Sequence, residues 1–301
     1  MKKLVIAAGT GFLGKVLIAY FKDKTDEIII LTRKPLPNNG NIRYVHWDAK
    51  TLTGWETELN SADALINLAG KSVNCRYTIT NKNEILNSRV DSTAILGKAI
   101  AQCTHPPKHW LNACTATIYR HSEDKQMNEN EGEIGSDFSM NVAKMWERIF
   151  FGINTPQTYK TALRTSIVLG NNGGAFPIMK KLAMAGLGGK QGNGRQFISW
   201  IHEHDFARAV AFILTEKLTG PVNVTAPNPI KNKDFMSALR KAVHIPFGIP
   251  QPEWLLSFGA KLIGTETELV LKSRNVIPVR LQKSGFNFQH STAIEAINAL
   301  V

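Results

Sequence analysis

The sequence predicts an α/β fold of the Rossmann type, a doubly wound parallel sheet, with a smaller C-terminal lobe. Short uninterrupted apolar runs recur through the first 170 residues and are typical of strands buried on both faces of a parallel sheet. Segments with apolar residues at helical spacing separate these runs, which favours right-handed crossovers between parallel strands. A glycine-rich turn follows the first run directly and opens the first helix.

Strands and helices alternate in the predicted order. The predicted strands are Leu4–Ala8, Ile28–Leu31, Ile42–Trp47, Ala64–Leu68, Trp110–Cys114 and Thr161–Leu169. The predicted helices are Lys15–Phe21, about Glu84–Gln102, about Asp137–Phe151 and about Phe176–Ala185. After residue 170 glycine becomes frequent, and proline does so from residue 228. We therefore expect a dinucleotide-binding domain of residues 1–170 and 199–228, and a substrate-binding lobe of residues 171–198 and 229–301.

Composition excludes several classes of protein. The chain has 301 residues, of which 43% are hydrophobic and 20% charged, as is usual for a folded globular protein. Its three cysteines form no Cys-x-x-Cys pair and no cluster with histidine, so neither disulfides nor a metal site are predicted. The N-terminal apolar run resembles a secretory signal, but spaced glycines and Lys15 interrupt it. No run is long enough to span a bilayer, and we expect a cytoplasmic protein that does not bind membranes.

The net charge of +12 is compatible with nucleic acid, a membrane surface or an anionic ligand. Between Glu147 and Glu203 the chain has no acidic residue. Seven basic residues are spread through that stretch among glycines and apolar residues: Arg148, Lys160, Arg164, Lys180, Lys181, Lys190 and Arg195. This spread favours the floor of a site for a small anion over a nucleic-acid-binding helix, although a generally basic surface would also produce it.

The turn Gly9-Thr10-Gly11-Phe12-Leu13-Gly14 has the spacing of a dinucleotide-binding loop. Its position between a strand and a helix makes the pattern specific. The glycines allow a tight turn and let a pyrophosphate reach backbone amides at the N-terminus of the helix, where the helix dipole favours negative charge.

The end of the second strand distinguishes the two nicotinamide dinucleotides. NAD sites place an acidic residue there to hold the ribose hydroxyls, whereas this chain has Thr32-Arg33-Lys34. A guanidinium pairs with a 2′-phosphate and no carboxylate opposes it, so the sequence predicts NADP(H). The alternative is that Arg33 is a solvated loop residue.

The sequence resembles the extended short-chain dehydrogenases/reductases, and within them the atypical "epimerase family" proteins that carry a C-terminal domain of unknown function. Ala8 stands where a first glycine is usual. The segments that carry the resemblance are the glycine turn, Asn67-Leu68-Ala69-Gly70, Ser88-Arg89 with Thr93, Arg164-Thr165, Val168-Leu169-Gly170, Gly186–Gly189, Gly192-x-Gly194 with Gln196, Ser199-Trp200-Ile201-His202 with Asp205, and Ala226–Pro229. The resemblance implies NADP as the cofactor. It also implies cofactor contacts from Thr32, Arg33, Leu68, Ala69, Gly70, Glu84, Arg89 and Val168.

The catalytic residues depart from the wider superfamily, whose members use a Ser or Thr after the fifth strand and a Tyr-x-x-x-Lys on the next helix. Thr115 matches the hydroxyl position and Lys144 matches the lysine, but Met140 occupies the position of the tyrosine. A thioether cannot transfer a proton. Tyr119 is the nearest phenol that could replace the tyrosine, and a packed residue at the end of the strand is an equal alternative.

Four residues are predicted to contact the substrate. Arg76 and Tyr77 match an arginine–aromatic pair of the narrower family, after the fourth strand. Arg195 lies in the acid-free stretch, and His202 follows Trp200-Ile201. The alternatives are a surface arginine for Arg76 and a hydrogen-bonded structural residue for His202.

Two functions remain open from the sequence. The first is an NADP(H)-dependent oxidoreductase or epimerase acting on a small anionic substrate. The second is an NADP(H)-binding sensor or regulatory protein without catalytic activity. Nucleic-acid binding has no supporting motif, and no motif encodes the substrate's identity or the oligomeric state.

Overall fold

The computed structural model describes residues 1–264 and 266–301. It has eleven strands in the described chain: β1 (Lys3–Ala7), β2 (Glu27–Thr32), β3 (Ile42–His46), β4 (Ala64–Asn67), β5 (His109–Thr115), β6 (Tyr159–Thr165), β7 (Ile167–Leu169), β8 (Phe197–Ile198), β9 (Trp200–His202), β10 (Gly220–Val224) and β11 (Ile230–Lys231). The helices are α1 (Phe12–Phe21), α2 (Ile79–Gln102), α3 (Phe138–Gly152), α4 (Phe176–Leu182), α5 (Glu203–Thr215), α6 (Asn232–Ala242), α7 (Glu253–Ile263), α8 (Glu268–Leu271), α9 (Val279–Lys283) and α10 (Ala293–Asn298).

Seven parallel strands form the main sheet, in the order β10-β6-β5-β4-β1-β2-β3. This order confirms the predicted Rossmann-type fold. The strand order reverses between β1 and β4, and ligands of such sheets bind beside the carboxyl ends of the strands at this point.

The seventh strand, β10, was not predicted. Its sequence, Gly220-Pro221-Val222-Asn223-Val224, contains too few consecutive apolar residues to indicate a buried strand. Proline lacks the backbone N–H that a central strand would need, but β10 lies at the edge of the sheet, beside β6.

Helices cover both faces of the sheet. On one face, α1 and α5 pack with Leu17, Phe21 and Phe206 in the core. On the other face, α2 and α3 contribute Leu96 and Trp146, among others. Both α1 and α2 begin earlier than predicted because Gly11 and Thr78 are their N-caps, and the Thr78 hydroxyl accepts a hydrogen bond from the amide of Asn81 at 3.2 Å.

A second lobe has its own apolar core, built from α4, α6 and α10 around Trp200 and Phe235. The predicted strand Thr161–Leu169 divides here, because β7 leaves the main sheet and pairs with β9. The sequence predicts residues 279–288 in the substrate-binding lobe. In the structure, Leu281 and Phe286 of this segment pack into the core of the sheet domain instead.

Among the described helices, none combines the length and the apolar character that crossing a membrane would require. The same part of the chain has no group of three or more His, Cys, Asp or Glu side chains arranged to hold a metal ion.

Candidate functional site

The glycine loop joins β1 to α1 with a backbone contact that only glycine permits. A Cβ on Gly14 would lie 2.0 Å from the carbonyl oxygen of Gly9, whereas a Cβ on Gly11 would meet nothing within 4 Å. Gly14 therefore brings the helix onto the strand, and Gly11 faces open space. Gly11 is also the N-cap of α1 and no side chain caps the helix, so its first amides are available to an anion.

The carboxyl end of β2 presents a cation beside this loop. Thr32 is buried, and its hydroxyl accepts a hydrogen bond from the amide of Lys34 at 3.3 Å. Arg33 is exposed, and its guanidinium has no hydrogen bond or ion pair with any residue that the structure describes. Because β1 pairs with β2, Arg33 follows the strand next to the glycine loop.

The chain after β4 follows the strand on the other side of β1. The amide of Ala69 donates to the side-chain oxygen of Asn67 at 3.0 Å, which fixes the turn at Leu68–Gly70. Asn67 is itself buried and donates to Asn112 at 2.8 Å. Gly70 lies directly against Arg89, since a Cβ on Gly70 would be 3.1 Å from the guanidinium carbon.

Arg89 is a partly buried cation without a carboxylate partner among the described residues. It donates to the carbonyl oxygens of Lys71 at 3.1 Å and Ile85 at 2.8 Å, and it lies 5.1 Å from the ring of Trp146. Burial lowers the pKa of Arg89 to about 10. A nearby anion would compensate this desolvation.

Two further predicted cofactor residues complete the set. Val168 is buried in β7, and the loop after it packs on the glycine loop, because a Cβ on Gly173 would lie 2.7 Å from the Phe12 side chain. Glu84 is exposed on α2 and forms an ion pair with Lys71. The ends of β2 and β4 thus lie on either side of β1, and the loop after β7 packs on the glycine loop, so the predicted cofactor residues are neighbours at the carboxyl edge of the sheet.

The predicted catalytic positions lie on β5 and α3. Thr115 ends β5, and its hydroxyl oxygen accepts a hydrogen bond from the amide of Thr117 at 3.1 Å, which leaves the hydroxyl proton free to be donated. Lys144 is half-buried on α3 and forms no hydrogen bond or ion pair with a described residue. Met140, one turn earlier, is 4% exposed, so a buried thioether fills the position of the usual tyrosine.

The structure places Tyr119 in the core and not in the cleft, which corrects its prediction as a proton donor. Its hydroxyl donates to Asn223 at 2.9 Å and accepts from Arg164 at 2.7 Å, and the side chain is fully buried. Arg164 is paired with Glu147 through two hydrogen bonds of 2.8 and 2.7 Å. Burial raises the pKa of Tyr119.

Arg76 and Tyr77 lie in the loop between β4 and α2, where they bridge the two lobes. Arg76 pairs with Glu266 at 3.6 Å, and the amide of Tyr77 donates to the same carboxylate at 2.8 Å. The Tyr77 ring packs on Phe138 at the start of α3, with ring centroids 4.9 Å apart. Burial raises the pKa of Tyr77 to about 12, so its phenol stays protonated at neutral pH.

The structure gives the other two predicted substrate residues partners within the protein. Arg195 is 72% exposed and pairs with Glu123 at 3.3 Å. The ring of His202 caps α5 by accepting from the amide of His204 at 3.1 Å and stacks on His290 at 3.9 Å. The spacing of a motif could not show these partners, because Glu123 and His290 are distant in sequence.

The sequence analysis did not single out Arg274. This residue follows α8, is partly buried, and interacts electrostatically with Asp137, Glu268 and Tyr77. No motif surrounds it, so nothing in the sequence separates it from the many other basic residues. An open groove of about 1180 Å³ between α4, α6 and α10 contains none of the predicted site residues.

Comparisons with known proteins bear on the family and the fold of the chain. Residues 4–225 match the model of the NAD-dependent epimerase/dehydratase family, and residues 251–300 match a domain of unknown function. An epimerase family protein of Staphylococcus aureus (strain MRSA252) is 34% identical over 305 residues, which covers 100% of this chain and 99% of the relative. The epimerase family protein YfhF of Bacillus subtilis (strain 168) is 32% identical over 300 residues, with 99% and 97% covered.

A solved structure is similar over nearly the whole chain. The human epimerase family protein SDR39U1 (isoform 2), crystallised with NADPH, has 27% sequence identity and a TM-score of 0.88. The match covers 99% of this chain and 98% of the human chain.

Replacements of two loop glycines should have different effects. We expect Gly14→Ala to lower the free energy of unfolding by about 1–3 kcal/mol, because the new Cβ overlaps the Gly9 carbonyl. Gly11→Val should leave the fold intact but abolish dinucleotide binding by filling the open space. Urea unfolding and dinucleotide titration measure the two effects. Tight binding by folded Gly11→Val would contradict the placement of the ligand at this loop.

His202 should make stability depend on pH. Burial, and secondarily His290, lowers the pKa of His202 to about 4, from about 6.5 in an unfolded chain. The folded state therefore binds fewer protons, and stability that is present above pH 6.5 is lost as the pH falls towards 4. The loss is up to about 3 kcal/mol.

His202→Asn keeps an N-cap side chain but cannot titrate. We expect its free energy of unfolding to fall less than that of the unsubstituted protein between pH 7 and pH 4.5. His105→Asn, at an exposed histidine, is the matched control. The same pH slope for His202→Asn and the unsubstituted protein would show that His202 does not carry the effect.

Proposed function

Because the chain belongs to the NAD-dependent epimerase/dehydratase family, we propose that it is an NADP(H)-binding oxidoreductase or epimerase acting on a small anionic substrate. The proposal is carried by two features that lie side by side. The N-terminus of α1 has no side-chain cap, and Arg33, at the end of the neighbouring strand, has no partner among the described residues. The residues present fit a dinucleotide with a 2′-phosphate. The NADPH in the human relative supports the same choice.

Each cofactor residue has a physical task in this proposal. The amides after Gly11 receive the pyrophosphate at the helix N-terminus. Arg33 pairs with the 2′-phosphate, and Thr32 ends the strand without a carboxylate that would repel it. Leu68, Ala69 and Gly70 provide a close backbone wall, and Arg89 behind it lowers the cost of bringing in negative charge. Val168 closes the other side with apolar surface.

The chemistry that NADP(H) supplies when bound is hydride transfer. Lys144 is free of protein partners in the described chain, so its ammonium is available to hold a ribose hydroxyl. Thr115 has a hydroxyl proton that no described residue accepts, and it can donate this proton as a hydrogen bond to a substrate oxygen. These two groups orient the reactants, and neither is a strong acid.

The alternative function is an NADP(H)-binding sensor or regulatory protein, and Met140 is the observation that favours it. A positioned general acid typically contributes about 10²–10⁴-fold to the rate, and Met140 cannot supply one. Tyr119 does not replace it, since its hydroxyl is enclosed by Asn223 and Arg164.

We keep the cytoplasmic location, inferred from the unpaired cysteines, and the division into two domains as part of this proposal.

The cofactor preference provides the first test. Arg33→Ala should weaken NADPH binding by about 1–3 kcal/mol, the scale of a lost charge-assisted pair, and leave NADH binding unchanged. Calorimetric titration with both dinucleotides measures this. Lys98→Ala, at an exposed lysine of α2, controls for the loss of one positive charge. Equal affinities of the unsubstituted protein for NADPH and NADH would refute the 2′-phosphate argument.

A second test separates the enzyme from the sensor. We expect very low NADPH oxidation with a panel of carbonyl compounds and sugar nucleotides, because the general acid is missing. Lys144→Met and Thr115→Val should reduce whatever turnover exists. Tyr119→Phe should lower the free energy of unfolding by about 1–3 kcal/mol, since Arg164 and Asn223 lose a buried partner, with turnover per folded molecule unchanged.

The outcomes of this assay are distinct. Turnover that is lost in Lys144→Met and Thr115→Val supports the enzyme. Absence of turnover together with tight NADPH binding supports the sensor. Turnover lost in folded Tyr119→Phe would show that the buried phenol participates after all.

A further inference from the structure

Three aromatic side chains of the C-terminal lobe are largely in solvent. Phe247, Trp254 and Phe258 are 62%, 71% and 59% exposed, more than any other Phe, Tyr or Trp side chain that the structure describes. All three lie in the short segment 247–258. Large apolar side chains that are exposed as a group usually mark a contact with another protein or with a membrane.

Two loops in direct contact form one surface around Phe247. The amide of Ile249 donates to the carbonyl oxygen of Gly186 at 2.9 Å, and a Cβ on Gly186 would lie 2.9 Å from the ring of Phe247. Met184 and Leu187 belong to the turn around Gly186, and their side chains are exposed, as is that of Ile249. The two loops therefore present four exposed apolar side chains together.

The helix α7 begins beside these loops. The amide of Gln251 donates to the carbonyl oxygen of Lys190 at 2.9 Å, and α7 starts two residues later. Trp254, Phe258 and Lys261 follow one another at intervals of four and three residues and are all exposed, so they lie on one face of α7. The apolar surface thus defined comprises Met184, Leu187, Phe247, Ile249, Trp254 and Phe258.

The charges next to the apolar surface are predominantly positive. Residues 180–190 and 240–261 contain one acid, Glu253, and six basic residues: Lys180, Lys181, Lys190, Arg240, Lys241 and Lys261. Arg240 and Lys180 donate to the carbonyl oxygens of Gly188 and Leu300, whereas the other four basic residues are exposed. Exposed lysines beside apolar side chains complement the negative headgroups of anionic lipids.

The composition of this surface favours a lipid bilayer over a protein partner. Lysine is depleted at protein interfaces. An exposed helix face that combines tryptophan, phenylalanine and lysine is typical of helices that lie in the interface between membrane and water. The open groove between α4, α6 and α10 has Met184 in its lining but none of the three aromatic side chains, so these do not form the wall of that groove.

We propose that the apolar surface and the lysines around it bind the surface of a membrane that contains anionic lipids. The apolar side chains enter the headgroup region, and the lysines contact lipid phosphates. With eleven residues, α7 is too short to span a bilayer and lies along it. The proposal replaces the expectation of a protein that does not bind membranes, because that expectation considered spanning segments alone. It goes beyond the proposed function and does not depend on it.

Sedimentation with vesicles tests the proposal. The full chain is mixed with vesicles of phosphatidylcholine alone, or of phosphatidylcholine and phosphatidylglycerol in equal parts, at low and at high potassium chloride. Because the net charge is +12, any anionic vesicle attracts the protein to some degree. The decisive variants therefore keep the charge: the double variant Trp254→Ser with Phe258→Ser, and Phe247→Ser. Ile79→Ser, at the exposed first residue of α2, is their matched control.

Trp254 is also an internal probe of insertion. The other five of the six tryptophans are buried: Trp47, Trp55, Trp110, Trp146 and Trp200. A shift of the emission to shorter wavelength on addition of anionic vesicles would therefore report that the Trp254 ring enters an apolar environment. Trp254→Phe should still sediment with the vesicles but lose this shift.

We expect the unsubstituted protein and Ile79→Ser to bind the mixed vesicles and to bind phosphatidylcholine far more weakly. The double variant of Trp254 and Phe258 should bind mixed vesicles about ten-fold more weakly or worse, and Phe247→Ser should show a smaller loss. The charge is tested by a double variant, Lys181→Gln with Lys190→Gln. Its affinity should fall by about ten-fold at low salt.

Lys22→Gln with Lys98→Gln, at two exposed lysines of the sheet domain, is the control for the loss of two charges and should lose much less. Equal binding of the Trp254 and Phe258 double variant and the unsubstituted protein would overturn the proposal, because charge alone would then explain the binding. Absence of binding to both kinds of vesicle, or sedimentation without an emission shift, would overturn it as well. Unfolding temperature and NADPH affinity should be unchanged in all variants, since the substituted side chains are exposed and outside the cofactor site.

Discussion

The buried ion pair between Arg164 and Glu147 joins β6, the strand next to the edge of the sheet, to α3, and much of the site depends on it. Arg164 lies on β6 and Glu147 on α3, and both side chains are about 90% buried. Charges at this depth are tolerated only when each is paired and hydrogen-bonded, and removing one partner typically costs about 3–5 kcal/mol. The pair therefore holds α3, and with it Lys144 and Met140, in one position against the sheet.

The same network extends to the second lobe. Tyr119 connects Arg164 to Asn223 on β10, and the Asn223 amide group donates to the carbonyl of Ile277 at 3.0 Å. The edge strand, the helix that carries Lys144 and the segment that follows Arg274 are thus linked by polar contacts inside the core. This explains why Tyr119, although close in sequence to Thr115, stabilises the fold. Its hydroxyl forms hydrogen bonds with two buried side chains, those of Asn223 and Arg164.

The parts of the site that the sequence predicted are those determined by neighbours along the chain. The glycine turn, the end of β2 and the turn after β4 each combine a strand end with the residues that follow it, so local spacing was sufficient. The roles of Tyr119, Arg195 and His202 depended on Asn223, Glu123 and His290, which only the tertiary fold brings near. Arg274 was missed for the same reason, because Asp137 and Tyr77, which interact with it, are distant in sequence. Likewise, the acid-free stretch predicted an anion site, yet Arg164 pairs internally and Lys160 binds the carbonyls of Phe151 and Ile153.

The contacts that close the cleft between the lobes are ionic and partly exposed. Arg76 pairs with Glu266, and Lys272 pairs with Asp137, with side chains between 21% and 45% exposed. At physiological ionic strength the Debye length is about 8 Å, so such pairs are screened far more than the buried Arg164–Glu147 pair. Screening thus acts unequally on the molecule. Salt therefore weakens the ionic links that tie the C-terminal lobe to the loop after β4 and to α3 before it weakens the buried pair in the sheet domain.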